Sequence, residues 1–179
     1  APPPWRAVYG IVDLREEQFG PIGHVATFEA DQLDWVLDEI NTSGYGLTLG
    51  VHTRIERRAH EIAARAQVGN IYVNRNQIGA VVGVQPFGGC GLSGTGPKAG
   101  GALYLRALSR ATHTTQTTEQ VAPTLAWQAQ LLDSPTGETN AYRVQARGRV
   151  LCLGPSIEDV RAQIISASAT RNHAIVPHV

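Results

Sequence analysis

The run from Val73 to Leu105, VNRNQIGAVVGVQPFGGCGLSGTGPKAGGALYL, constrains this chain more than any other feature. Glycine and proline crowd a stretch that is neither charged nor repetitive, so the backbone itself has a task there. Glycine admits positive φ and lets amide N–H groups approach a ligand with no Cβ in the way, which suits an anion. A long, tight surface loop without a ligand has the same composition, and glycine content alone does not separate the two readings.

Hydrophobic periodicity places this loop at the end of an α/β region. Ile22 to Phe28 reads as a strand, and Asp31 is placed to cap a helix whose Leu33, Val36, Leu37 and Ile40 form one buried stripe. Gly44 stops that helix. Leu47 to Val51 reads as a strand, Thr53 as the cap of a second helix with Ile55, Ala59, Ile62, Ala63 and Ala66 on its apolar face, and Asn70 to Asn74 as the next strand. Such alternation argues for crossover units on a mostly parallel sheet.

Beyond Leu108 the threonine-rich Thr112 to Thr118 marks a linker, set at residues 111–133, in which Leu125 to Leu132 reads as a short helix. After the turn Ser134-Pro135-Thr136-Gly137, Tyr142 to Ala146 alternates as an edge strand and Arg149 to Leu153 reads as a buried one. Ser156 then caps a helix with Glu158 and Asp159 in its first turn and Val160, Ile164, Ile165 and Ala167 as its apolar residues. Ala174-Ile175-Val176 closes the pattern as a strand. Residues 134–179 thus read as the β-α-β beginning of a second domain, and residues 1–110 as the C-terminal part of the first.

Lys+Arg 15 against Asp+Glu 15 leaves no electrostatic footprint for nucleic acid or an anionic membrane. No apolar run approaches the ~20 residues a membrane span needs, and the N-terminus has no signal-type core, so a cytoplasmic protein is expected. Cys90 and Cys152 lie far apart and suggest two free thiols, Cys90 partly buried and Cys152 in a core. The six histidines show no metal-ligand spacing, so no metal site is expected. The absence of methionine reads as a piece of a longer polypeptide.

The segment PFGG followed by SGTGPKAGG resembles the aldehyde dehydrogenase superfamily. Within it the resemblance is to the L-glutamate γ-semialdehyde (pyrroline-5-carboxylate) dehydrogenase branch found in bifunctional proline utilization A enzymes of proline catabolism. Residues 134–177 resemble the start of the C-terminal, aldehyde-dehydrogenase-like domain of those enzymes, which covers the dehydrogenase site. The resemblance implies an NAD-dependent enzyme that oxidises the semialdehyde to glutamate, with FAD only where a proline dehydrogenase domain precedes. It also implies contact with the rest of a parent chain and assembly of that parent into a homo-oligomer.

The resemblance assigns residues as well. Glu17, in Glu17-Gln18-Phe19-Gly20-Pro21, matches the E-x-F-G-P motif whose glutamate accepts hydrogen bonds from the nicotinamide ribose, with Phe19 beside the nicotinamide ring. A carboxylate can take both protons of a diol. The backbone N–H groups of Gly100 and Gly101 are the expected anchor for the substrate's α-carboxylate. Ser93 either assists by its hydroxyl or holds the loop's shape, and Phe87 either lines the aldehyde pocket or packs inward. Lys98 adds a favourable field or is simply solvated, and Asn74 is structural.

Aldehyde oxidation of this kind needs a cysteine nucleophile and a general base. Neither cysteine here stands at the family's nucleophile position, so no catalytic residue is assigned and the piece alone is expected to be inactive. Gln18, Ala102 and Arg106 depart from the family pattern and bear on the pocket's fine shape. A non-enzymatic reading remains beside this one, in which the C-terminal part is a lid or assembly module. A third is a dehydrogenase for a different acidic semialdehyde.

Overall fold

The computed structural model describes residues 4–16, 18–108 and 128–177. The chain divides into two compact units, residues 1–110 and 111–179. In the first, β1 (Trp5–Ala7) pairs in parallel with β2 (Gly23–Val25), Trp5 opposite Gly23. The strand expected over Ile22 to Phe28 is confined to Gly23–Val25, in its first half.

Helix α1 (Leu33–Thr42) follows a short 3-10 turn at Ala30–Gln32. Asp31 does not cap α1, as the sequence suggested: the helix's N-cap position is Gln32, and Glu29 begins the preceding 3-10 turn, its N–H donating to the Gln32 side-chain oxygen at 3.0 Å. Three of the four expected stripe residues form the contact, Leu37 buried with Leu33 and Ile40 packed beside it, while Val36 is partly buried outside that cluster.

Next come β3 (Tyr45–Gly46) and β4 (Thr48–Val51), then α2 (Glu56–Arg65) and β5 (Asn70–Val73), which lies parallel to β4 with Thr48 opposite Asn70 and Val51 opposite Val73. Parallel neighbours need a crossover, and α2 is that crossover. The N-cap position of the helix is Ile55 rather than Thr53. Thr53 instead turns the chain, its hydroxyl accepting the Ile55 N–H at 3.1 Å, and this leaves Ile55 exposed.

Leu37, Val51 and Ile62 form the small core, with Leu33, Ile40, Leu49 and Ile71 packed against it. Polar ties reinforce the contact between the helices. The Asn41 side-chain amide donates to the Arg65 carbonyl and its oxygen accepts the Gln67 N–H, while the Arg65 guanidinium pairs with Asp34 and, at 3.6 Å, Asp38.

Past β5 the chain forms the glycine-rich loop, including β6 (Cys90–Gly91), and ends this unit in the short helix α3 (Tyr104–Leu108). Much apolar surface stays open in this unit, with Tyr9, Phe19, Ile78 and Val82 each at least 86% exposed.

In the second unit, β7 (Gln130–Leu132) pairs antiparallel with β8 (Asn140–Tyr142). The short helix expected at Leu125 to Leu132 is thus corrected over residues 130–132, where strand pairing across the Ser134 turn overrides helical periodicity. Residues 125–127, and most of the expected linker, lie outside the described residues. The strand expected from Tyr142 lies just upstream, at Asn140–Tyr142.

Helix α4 (Ile157–Ala169) joins β9 (Arg149–Leu151) to β10 (His173–Ile175), and the two strands are parallel. Ser156 caps it as expected, its oxygen accepting the Asp159 N–H at 3.1 Å. Cys152 and Ala167 are buried, but Leu151, Leu153 and Ile165, expected in the core, are more than half exposed because this β-α-β unit buries only one side of its strands. Together the described residues form three parallel and two antiparallel strand pairs, a partial α/β architecture.

Leu37→Ala should destabilise the first unit by about 2–5 kcal/mol, the cost of deleting a buried leucine side chain. It would be read as a lower denaturation midpoint. Arg57→Ala, which removes only an exposed ion pair to Glu61, should leave that midpoint almost unmoved.

Candidate carboxylate anchor loop

The glycine-rich loop is tied down at three points. The first is the short antiparallel pairing of β3 with β6, Tyr45 opposite Gly91 and Gly46 opposite Cys90. The Leu92 N–H donates to the Gly44 carbonyl at 2.8 Å, and the Gly46 N–H donates to the Ser93 hydroxyl oxygen at 3.1 Å. Gly91 has φ +57°, and a Cβ there would overlap the Gly44 carbonyl oxygen, so only glycine fits.

The second tie closes the loop on itself. Phe87 and Ala99 exchange two backbone hydrogen bonds, 3.0 Å from the Phe87 N–H and 2.8 Å from the Ala99 N–H. This brings the PFGG limb beside the KAGG limb and leaves Phe87 half-buried.

The third tie centres on Lys98 and Asn70. The Lys98 ammonium donates to the Gly69 carbonyl at 2.6 Å, the Gly88 carbonyl at 2.6 Å and Asn70 Oδ1 at 2.9 Å. Asn70 Oδ1 also accepts the Gly88 N–H at 3.1 Å, and Asn70 Nδ2 donates to the Pro86 carbonyl at 3.0 Å. Lys98 is therefore not the solvated side chain the sequence allowed. Burial pushes its pKa below the ordinary lysine range, with Cys90 acting in the opposite sense. Cys90 itself is exposed, not partly buried.

The sequence-derived site residues take distinct places within this frame. Ser93 holds the loop's shape, since its oxygen accepts from Gly46. The Gly101 N–H donates to the Lys98 carbonyl at 3.0 Å, whereas the Gly100 N–H donates to no described residue. Asn74 is structural: at φ 57° it accepts the Thr53 N–H at 2.9 Å and donates back to the Thr53 carbonyl at 3.0 Å.

Phe19 is 86% exposed, and no described hydrogen bond joins it to the loop. Glu17 lies outside the described residues. Among the described residues there is no cluster of metal-ligating side chains, and no helix is long and apolar enough to cross a membrane.

Sequence reasoning missed the hub of Lys98 and Asn70. A lysine in a glycine-rich loop with no acidic neighbour was the available signal, but its partners are mostly backbone carbonyls, which carry no sequence signature.

A parallel crossover unit supporting a glycine-rich turn places the first unit in the α/β class. Residues 13–114 match the Aldehyde dehydrogenase family, and the chain belongs to that family. It is 42% identical over 205 residues to the bifunctional protein PutA of Salmonella typhimurium, covering 91% of this chain and 16% of that protein. Against 1-pyrroline-5-carboxylate dehydrogenase of Bacillus subtilis it is 48% identical over 94 residues, covering 51% of this chain and 18% of the relative.

Among solved structures, a mutant of proline utilization A from Bradyrhizobium japonicum superposes with a TM-score of 0.55 at 60% identity, over 56% of this chain and 10% of that one. The chain spans about one-sixth of the length of its curated PutA relatives.

A Cβ on Gly69 would overlap the Gly88 carbonyl oxygen that Lys98 binds. Gly69→Ala should therefore lift the PFGG limb off β5. Hydrogen exchange should show lost protection at the Phe87, Gly88 and Ala99 amides, with α1 unchanged.

Proposed function

We propose that this chain supplies the substrate-carboxylate anchor and part of the cofactor edge of an NAD-dependent dehydrogenase that oxidises L-glutamate γ-semialdehyde to L-glutamate in proline catabolism. The observation that carries this reading is the triply tied loop from Phe87 to Gly101, which is rigid at its limbs and presents the uncommitted Gly100 N–H at its tip. The names of the PutA and pyrroline-5-carboxylate dehydrogenase relatives support the same substrate class.

In this reading the Gly100 N–H grips the α-carboxylate, and the Gly101 N–H, now bonded to the Lys98 carbonyl, is shared with it. Charge-assisted hydrogen bonds are worth about 1.5–3 kcal/mol each, enough to discriminate an acidic aldehyde from an uncharged one. Phe87 lines the path of the aldehyde chain. Ser93 assists by keeping the turn closed.

NAD, when bound, accepts the hydride. The open aromatic face of Phe19 fits a flat nicotinamide ring, and Glu17 would accept hydrogen bonds from the ribose hydroxyls. Neither Cys90 nor Cys152 serves as the nucleophile, so the activity belongs to a full-length protein and this piece alone is inactive. FAD would belong to a proline dehydrogenase domain where one precedes. The parent is a homo-oligomeric cytoplasmic enzyme in this reading.

Two measurements on a full-length enzyme carrying this segment test the reading. Glutamate semialdehyde should exceed both succinate semialdehyde and propanal in kcat/KM. A preference for succinate semialdehyde would reassign the loop to another acidic aldehyde, and no preference for an acid would remove the anchor. Glu17→Ala should raise KM for NAD or lower turnover, and unchanged kinetics would remove the cofactor assignment.

A further inference from the structure

The Lys98 ammonium has three N–H protons and three acceptors, so it has no donor left for a substrate carboxylate. Its acceptors come from different parts of the frame: the approach to β5 at Gly69, the Asn70 side chain on β5, and the PFGG limb at Gly88. The residue itself sits on the KAGG limb, next to Ala99, which bridges to Phe87. One side chain thus joins both limbs of the loop to the underlying strand. Its own carbonyl accepts the Gly101 N–H, so displacing Lys98 also moves one of the two proposed anchor amides.

We infer that Lys98, braced by Asn70, is the positioning residue that sets the anchor loop's geometry and so its selectivity for carboxylate-bearing aldehydes. The inference deepens the proposed function and rests on that loop being the carboxylate anchor. Among the described residues no carboxylate pairs with Lys98, so its positive charge stays uncompensated within the loop. A half-buried cation held only by neutral acceptors is costly in an apolar setting, and an anionic ligand nearby would relieve that cost. The lowered pKa agrees with such burial. Lys98 therefore acts twice without touching substrate, through loop shape and through local field.

The test uses a full-length dehydrogenase carrying this segment, with glutamate semialdehyde and propanal as paired substrates. Lys98→Met keeps the side chain's length and removes the cation. It should raise KM for the semialdehyde about tenfold, while kcat, KM for NAD and KM for propanal change less than about twofold. Equal losses on both aldehydes would mean a general structural role and would overturn the inference, as would an unchanged KM for the semialdehyde.

Should Lys98→Met fail to fold, Asn70→Ala decides. It leaves the ammonium its two carbonyl acceptors and should shift KM for the semialdehyde in the same direction by about threefold. No shift there also overturns the inference. A wild-type enzyme that does not favour the acidic substrate would defeat the anchor reading itself. A wild type that favours it while both variants behave like wild type would defeat only the role of Lys98.

Discussion

The glycine-rich loop depends on one half-buried cation. Its fifteen residues from Phe87 to Gly101 have little apolar content, and hydrophobic burial cannot hold them in one shape. The Lys98 ammonium replaces that missing core with three charge-assisted hydrogen bonds, two to the adjacent Gly69 and Asn70 and one to Gly88. Asn70 extends the same network to Pro86 and to the Gly88 amide. The order of the loop is therefore electrostatic and polar, and its tip can remain open without the limbs coming apart.

The network needs a platform, and the β4–α2–β5 unit provides it. Leu37, Val51 and Ile62 fix α1 and α2 against the strand pair, and this sets where Gly69 and Asn70 begin β5. Close approach does the rest. Gly69 lets the Gly88 carbonyl come down onto the strand, and Gly91 lets β6 pair against β3 at the end of α1. A small apolar core thus positions a polar loop through two places where no side chain would fit. The likeness to proline utilization A at 60% identity falls on just over half of this chain.

The second unit repeats the crossover theme at smaller scale. Ser156 caps α4, and Asn172 accepts the Gly148 N–H at 3.1 Å, fixing the approaches to β9 and β10. With Cys152 and Ala167 as its buried residues, it covers one side of its strands and leaves Leu151 and Leu153 open. An unfinished apolar face of this kind is consistent with a segment that spans one-sixth of its PutA relatives.

Local patterns were legible wherever neighbours in sequence decide the outcome. The stripe Leu33, Leu37 and Ile40, the strands around Leu49 and Ile71, the Ser156 cap and the structural role of Asn74 follow from periodicity, short-range hydrogen bonding and family motif. Asp31 and Thr53 failed as caps because the 3-10 turn from Ala30 to Gln32 puts Gln32 at the N-cap of α1, and the Thr53 hydroxyl is taken by the Ile55 N–H in the turn ahead of α2. Gln130 to Leu132 turned out extended because an antiparallel partner across a turn outweighs a weak helical pattern. By itself, then, the order of residues determined the alternation of helix and strand and the presence of a flexible-backbone loop. Only the tertiary structure decided what holds that loop, because the partners of Lys98 lie 10 to 29 residues away and two of them are carbonyls that every residue possesses.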